Sequence, residues 1–153
     1  MADSDDGYTL LFDVWVVANS TRALLDRALR PSGLSAEDFA IYSAIRRDGG
    51  ITPTELSSLM ALPPTTVSSI ITRIERRGHA HRVRNPADAR SYRIQLSPSG
   101  QAAHTAAGEQ FTRVLGRVEA ALSIPPGHAR DVLAAINSAV LAATTAAPAS
   151  TGE

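Results

Sequence analysis

Apolar residues recur at steps of three and four along most of the chain, which is the spacing of amphipathic α-helices. The first of these stretches predicts a helix over residues 8–30 that ends before Pro31. Such a helix would be about 33 Å long at about 1.5 Å per residue, which is longer than one face of a small domain requires. We therefore expect it to pack against a second chain or a distant element.

A second helix is predicted from about residue 36 to residue 47. Ser35 and Asp38 have the spacing of an N-terminal capping box, and Gly49 follows as a stop signal. A shorter helix begins at Thr52 and ends near Met60. It starts with an N-cap threonine followed by proline, which is a favourable first turn.

The next helix follows after a turn of about three residues, which makes a helix-turn-helix pattern. It begins at Pro64 and ends at Gly78, where glycine supplies the C-terminal cap. One face is apolar and the opposite face is polar. The apolar face consists of Val67, Ile70, Ile71 and Ile74.

Beyond Gly78 the pattern favours strands. His79–Arg84 and Tyr92–Leu96 are predicted to pair, because the segment between them, Asn85–Asp88, is rich in turn-forming residues. Two further helices are predicted after this basic hairpin, and the prolines at 125 and 126 separate them. The expected fold class is therefore mainly α with a small β-hairpin.

The predicted organisation is a single unit over residues 1–153. The helix-turn-helix and hairpin occupy residues 33–97, and long terminal helices occupy residues 8–30 and 98–147. The apolar stripes of these terminal helices exceed what one small domain can cover, which favours dimerisation. Residues 1–6 and 148–153 are predicted to be disordered.

Composition excludes several classes of function. The chain has 153 residues, 44% of them hydrophobic, and no cysteine, so disulfides, thiolate metal sites and cysteine nucleophiles are ruled out. No apolar run approaches the roughly 18–20 residues of a membrane span, and the N-terminus is acidic where a signal peptide would be basic. We therefore expect a cytoplasmic protein with no membrane partner.

Charge is unevenly distributed along a chain that is neutral as a whole. Residues 1–13 carry four aspartates and no basic residue. Residues 63–96 carry seven arginines against Glu75 and Asp88, a local charge of plus five. A basic segment on a neutral protein indicates a localised anion-binding surface.

Four short motifs in this basic region, in register with one another, resemble the MarR family of winged helix-turn-helix regulators. Asn85-Pro86-Ala87-Asp88-Ala89-Arg90 is similar to the family's acid-Pro-x-Asp-x-Arg run, and Leu96-Ser97-Pro98-Ser99-Gly100 is similar to its Leu-Thr-x-x-Gly run. Pro64-Thr65-Thr66-Val67-Ser68 and Arg76-Arg77-Gly78 match its recognition helix and the end of that helix.

The resemblance implies a winged helix-turn-helix domain flanked by dimerisation helices. It also implies a homodimer that binds double-stranded DNA at a pseudo-palindromic operator and is often released by small aromatic ligands. Ser69, His79, Ala80 and Asn85 depart from the family pattern, so the operator sequence is not predicted.

Nine residues are predicted to contact DNA. Arg90, at the hairpin tip, can enter the minor groove, whereas Asp88 is expected to fix the turn or orient Arg90. Arg84 and Arg93 would contact phosphates or pair with Asp88. The remaining six lie on the polar face of the recognition helix, where short hydroxyls can approach bases closely: Thr65, Thr66, Ser68, Ser69, Thr72 and Arg73. An ordinary solvated face has the same polarity, so the hairpin and the resemblance favour DNA.

Other candidate sites carry weaker signals. The resemblance places an effector pocket where it could be lined by Trp15, Phe39, Tyr42 and His104, although each could equally fill the core. His79 and His81 have strand spacing for two metal ligands but lack a third, so we expect no metal and no cofactor. No nucleophile motif, phosphate loop or paired-carboxylate signature is present, so we do not expect an enzyme.

The leading hypothesis is a homodimeric, sequence-specific transcription regulator that acts as a repressor and whose DNA affinity responds to a small ligand, with aromatic compounds as candidates. The alternative is a winged-helix protein-interaction module in which the same basic surface binds an acidic partner protein. Arg90 at the hairpin tip favours DNA.

Overall fold

The structure is a computed structural model that describes residues 9–146, except for the side chains at 48, 145 and 146. Six α-helices and a two-stranded antiparallel sheet account for most of these residues, which confirms the predicted fold class. The two segments predicted to be disordered lie outside the described residues. The elements are α1 (Leu10–Leu29), α2 (Ala36–Arg46), α3 (Pro53–Met60), α4 (Pro64–Arg76), β1 (Ala80–Arg84), β2 (Tyr92–Leu96), α5 (Pro98–Ala121) and α6 (Pro126–Ala146).

The chain divides into two compact units, and the division falls after Val114, inside α5. The sequence predicted one unit. The buried core belongs to the first unit and is formed by α1 to α4, the hairpin and the start of α5. No helix in the part of the chain that the structure describes is long and apolar enough to cross a membrane.

The junction between α1 and α2 is fixed by side chains as well as by backbone. A short 3₁₀ turn at Arg30–Ser32 ends α1, and Gly33 follows with a φ of 76°, a conformation that suits glycine. Ser35 caps α2 by accepting a hydrogen bond from the amide of Asp38 at 3.0 Å. Asp26 of α1 accepts a second amide of the first turn, that of Ala36, at 2.6 Å. The start of α2 is therefore attached to α1.

Helices α3 and α4 form the helix-turn-helix. Thr52 and Glu55 make a complete capping box at the start of α3. The turn after α3 places Ala61 in the left-handed region, with a φ of 51°. Helix α4 has no side-chain cap and begins instead at Pro64 after Pro63, and these two prolines contribute no N–H groups that would need a partner.

The hairpin pairs Ala80 with Leu96 at its base and Arg84 with Tyr92 near its tip. Ile51 forms an isolated bridge with Ile94, so the loop before α3 adds to the edge of the sheet. A Cβ atom on Gly100 would lie 2.0 Å from the backbone oxygen of His79, which is closer than two atoms can approach. The absence of a side chain there lets α5 begin directly against the hairpin.

The core contains the apolar face of α4 that the sequence predicted, whereas the N-terminal part of α1 remains exposed. Burial of a large apolar side chain stabilises the fold by about 1.5 to 3 kcal/mol, so this cluster dominates the stability of the first unit. Its largest fully buried members are Leu29, Ile41, Tyr42, Ile45, Leu56, Val67, Ile71, Ile74 and Ile94.

Candidate nucleic-acid interface

The outer face of α4 carries short hydroxyl side chains. Thr65, Thr66, Ser68 and Ser69 are exposed, because the opposite face of the helix packs into the core. The hydroxyls of Ser69 and Thr72 donate to the helix carbonyls four residues earlier, at 3.1 and 2.9 Å. Their oxygen lone pairs can still accept hydrogen bonds from an external ligand.

An open groove of about 600 Å³ runs along this face. Its lining combines three hydroxyls with three guanidinium groups, a combination suited to phosphates and base edges. Arg76 and Arg77 line the groove but were not among the predicted contacts. The lining residues are Ser68, Ser69, Thr72, Arg73, Arg76 and Arg77.

Two of the groove arginines are held from the protein side. Arg73 donates to Asp38 at 2.7 Å and to Glu37 at 3.4 Å, and Arg77 donates to the other oxygen of Asp38 at 2.7 Å. The hydrogen bond to Asp38 is the main cause that raises the pKa of Arg77. The prediction placed Arg73 outward, but in the structure its guanidinium is directed toward two carboxylates of α2.

Two of the hairpin arginines are also engaged within the protein. Arg82 makes a two-pronged ion pair with Glu75 of α4, at 2.8 and 2.9 Å, and lies 4.6 Å from the centre of the Tyr92 ring. The ion pair joins the hairpin to the recognition helix. Hydrogen bonding to Glu75 accordingly raises the pKa of Arg82.

Arg93 was predicted to contact a phosphate or to pair with Asp88. In the structure its side chain is only 23% exposed, donates to the backbone oxygen of Gly50 and lies 3.9 Å from Glu55. It is therefore directed under the hairpin toward the start of α3. The alternation of strand residues does not reveal this, because Gly50 lies 43 residues earlier in the chain.

Three arginines of the basic region remain without a side-chain hydrogen bond or ion pair to any residue within 9–146. They are Arg76, Arg84 and Arg90, and all three are exposed. Of the seven arginines in this region, these are the ones whose guanidinium groups can turn toward an external anion without breaking a bond inside the protein.

Asp88 organises the hairpin turn. Its carboxylate accepts the amide of Arg90 at 3.0 Å, and its backbone oxygen accepts from both the amide and the hydroxyl of Ser91. Asn85, which replaces the acid of the family pattern, is buried and donates to the Ser91 hydroxyl at 2.7 Å. Asp88 thus holds the backbone at Arg90 and makes no ion pair with Arg84 or Arg93 within the described residues.

The four candidate effector residues are divided among different surroundings. The Phe39 ring stacks on His104 at 4.9 Å and lies 5.1 Å from Phe111, so these rings form one half-buried aromatic cluster. Tyr42 is fully buried, and its hydroxyl bonds to His79 at 2.9 Å. Trp15 is 64% exposed on α1 and lies near Phe12.

His104 joins α5 to α2. Its Nε2 atom is 2.9 Å from the Ser43 hydroxyl and its Nδ1 atom is 3.4 Å from a guanidinium nitrogen of Arg46. Burial, together with the positive charge of Arg46, lowers the pKa of His104. The neutral imidazole fits this site, because only a neutral ring can accept a hydrogen bond from arginine.

The two histidines considered as metal ligands have different surroundings. His79 precedes β1 and bonds to Tyr42, whereas His81 lies exposed on the strand. Residues 9–146 contain no cluster of three or more acidic or histidine side chains that could hold a metal ion.

Comparison with known proteins gives a consistent result. A family model described as the MarR family matches residues 32–91. Over 89 residues the chain is 29% identical to the multiple antibiotic resistance protein MarR of Salmonella typhimurium, a match that covers 58% of this chain and 62% of that protein. The chain therefore matches less than two thirds of the length of this curated relative.

Solved structures are similar over more of the chain. The transcriptional regulator MosR of Mycobacterium tuberculosis, crystallised in complex with DNA, superimposes with a TM-score of 0.76 at 29% identity, covering 89% of this chain and 98% of that chain. CouR of Rhodococcus jostii, crystallised with p-coumaroyl-CoA, has a TM-score of 0.75 over 90% of this chain and 94% of that one. At 19% identity, the likeness to CouR concerns the fold alone.

Proposed function

Because the chain belongs to the MarR family of winged helix-turn-helix transcription regulators, we propose that it is a homodimeric, sequence-specific DNA-binding repressor whose DNA affinity is modulated by a small molecule. Family membership also agrees with the expectation that the chain is a regulator and not an enzyme. The observation that carries the proposal is the groove on α4, in which exposed hydroxyls lie beside arginines. We place this activity in the cytoplasm, where a regulator meets its DNA.

In the proposed complex, α4 lies in the major groove. Its hydroxyls are short enough to reach base edges and phosphates: those of Thr65, Thr66, Ser68 and Ser69 are exposed, and that of Thr72 is half-buried. Arg76 and Arg84 contact phosphates, since neither is engaged within the described part of the protein. Arg90 enters the minor groove from the hairpin tip, where Asp88 holds its backbone.

Two of the nine predicted DNA contacts are not retained in the proposal. Arg73 reaches DNA only if it leaves Asp38 and Glu37, and Arg93 only if it leaves Gly50. We therefore propose that Arg73 and Arg93 support the interface from within the protein, and that Arg76 makes the DNA contact that was predicted for Arg73.

The homodimer is supported by apolar side chains that face solvent in the single chain. On α1, Leu10, Leu11 and Trp15 are 60 to 64% exposed, and on α6, Leu133 is 54% exposed. Exposed apolar surface of this kind marks interaction sites in soluble proteins. A second copy of the chain would cover these residues and would present two recognition helices to the two halves of a pseudo-palindromic operator.

A small-molecule effector is supported by the aromatic cluster of Phe39, His104 and Phe111. The cluster is half-buried and joins α2 to α5, so a flat aromatic compound that entered it would separate or tighten those helices. Such a ligand changes DNA affinity only if it binds one helix arrangement better than the other.

An electrophoretic mobility shift with DNA from upstream of the protein's own gene tests the proposal. We expect a retarded band that a large excess of unrelated DNA does not compete away, and that simple phenols weaken. A chain that shifts no DNA at low salt would contradict the proposal and would favour the alternative, an acidic protein partner for the same arginines.

A further inference from the structure

Asp38 is the most buried carboxylate in the described part of the chain, and it faces the recognition helix. We propose that Asp38 is a positioning residue: by holding Arg73 and Arg77, it sets the orientation of α4 and so determines how well the protein distinguishes its operator from other DNA. This inference rests on the proposed function, since it concerns the same DNA surface. Asp38 itself is only 3% exposed, so the proposed role is to hold the helix and not to contact DNA.

The geometry of the contact constrains α4 in two directions. Each oxygen of the one carboxylate accepts from a different arginine at 2.7 Å, and the two arginines are four residues apart on α4. Four residues are about one helical turn, or about 6 Å along the axis. A single group that holds two side chains one turn apart fixes both the rotation of the helix about its axis and its position along that axis.

The carboxylate is itself held in place. Asp38 lies in the first turn of α2, where its amide donates to the capping Ser35 at 3.0 Å. The same turn is attached to α1 through Asp26, which accepts the amide of Ala36 at 2.6 Å. The negative charge also lies near the N-terminus of α2, where the helix dipole favours it. Contacts therefore run from α1, through α2 and Asp38, to α4.

Because Asp38 is buried, its ion pairs with Arg73 and Arg77 favour one orientation of α4. A buried carboxylate without partners is strongly destabilising, so the arrangement in which Arg73 and Arg77 both reach Asp38 is favoured over nearby rotations of α4. The apolar contacts of Val67, Ile70, Ile71 and Ile74 are less directional, because aliphatic packing tolerates small shifts better than a two-point ion pair does.

The position of Asp38 also predicts that its replacement affects unrelated DNA and the operator differently. Simple electrostatics says that removing a negative charge beside a basic groove strengthens binding to any DNA. A positioning role predicts the opposite for the operator, because a helix that can rotate no longer aligns its hydroxyls with particular bases. Replacement of Asp38 should therefore raise affinity for unrelated DNA while lowering the preference for the operator.

The test is a fluorescence anisotropy titration of the full-length protein with two labelled duplexes: an operator obtained by selection from random DNA, and a shuffled duplex of the same length. For Asp38→Asn we expect the ratio of the two affinities to fall by about tenfold or more. Affinity for the shuffled duplex should rise and its salt dependence should steepen by about one phosphate contact, since Arg77 loses its carboxylate partner whereas Arg73 keeps Glu37.

Glu37→Gln is the matched control. It removes the same charge one residue away. The Glu37 side chain is 32% exposed, and its contact with Arg73, at 3.4 Å, is longer than the 2.7 Å contact of Asp38. Because exposed ion pairs are weak, we expect its affinity ratio to stay within about twofold of the wild-type value. Thermal unfolding and circular dichroism establish that each variant is folded.

The outcomes separate the two proposals. A folded Asp38→Asn that keeps the wild-type ratio within about twofold overturns the positioning role, whatever happens to the absolute affinities. A wild-type protein with no preference for any sequence overturns the proposed function itself. If Asp38→Asn does not fold, Arg77→Gln replaces it, because Arg77 is 39% exposed and its loss leaves Arg73 on the carboxylate. The ratio should fall for that variant too, and an unchanged ratio overturns the inference.

Discussion

The recognition helix α4 and the C-terminal helix α6 are both amphipathic, but they differ in how their apolar residues are covered. On α4, Val67, Ile70, Ile71 and Ile74 are all buried within the single chain. On α6, no residue from 126 to 144 is buried, and Leu133 is 54% exposed. The apolar face of α4 is covered by its own chain, whereas the apolar residues of α6 stay exposed in the single chain.

This difference distinguishes the stability of the folded chain from the stability of the proposed dimer. The buried core lies in the first unit, so substitutions there should act on folding. If the proposed homodimer forms, substitutions in α6 should act on assembly, because the apolar surface they alter is exposed in the single chain.

Leu133→Glu should have the largest effect. An unpaired charge in an apolar seam costs several kcal/mol, so we expect the dimer to dissociate and operator binding to be lost. Light scattering at several protein concentrations measures the mass. Ser138→Glu on the same helix is the control, because it adds the same charge at a polar position, and the proposed interface is wrong if Leu133→Glu retains the mass of the dimer.

Ile74→Ala should have the next largest effect, and on folding instead of assembly. Ile74 is fully buried, and truncating such a residue costs about 2 to 5 kcal/mol. Chemical denaturation should reveal this loss while light scattering shows an unchanged mass under native conditions. A change in mass with no loss of stability would erase the distinction between the two helices.

Arg90→Ala should weaken operator binding by about 1 to 3 kcal/mol without altering either stability or mass, because its side chain contacts no core residue. Arg93→Ala is the informative comparison, since Arg93 is held under the hairpin by Gly50. That variant should lower the unfolding midpoint as well as the affinity. Equal effects of the two variants on binding alone would contradict the division between free and engaged arginines.

His104 should give the smallest effect, seen as pH dependence. Its pKa is lowered in the folded state, so the unfolded chain takes up the proton first as the pH falls. The stability that the neutral ring contributes is present above about pH 6.5, the usual histidine pKa, and declines as the pH drops below that value. Denaturation curves at pH 7.5 and 5.5 measure the decline, and His104→Gln should make it shallower; an unchanged slope would contradict the assignment.

Much of the fold could be predicted from sequence because its signals are local. Helical periodicity, the Thr52–Glu55 capping box and the turn residues around Asn85 each act within a few positions of the chain. The predicted strands and helices differ from the observed ones by only one or two residues at most ends, and α1, predicted from residue 8, begins at Leu10.

The candidate site was less predictable because its arginines are sorted by distant partners. Periodicity places Arg73 on the polar face of α4, but it does not reveal that Asp38, which is 35 positions earlier in the chain, lies beside it. The same reason explains Arg93, whose partner is the Gly50 carbonyl. Conversely, Arg76 was not predicted, because its lack of an ion-pair partner depends on which residues lie near it after folding. A local sequence pattern does not show this.

The left-handed conformation of Ala61 has a consequence for protein engineering. An alanine at a φ of 51° is strained by about 1 kcal/mol, whereas glycine adopts this conformation freely. The position is exposed, lies between α3 and α4, and does not line the groove on α4. Replacing Ala61 with glycine should therefore raise the thermal stability of the protein. The more stable variant would be a better starting point for redesigning the binding surface.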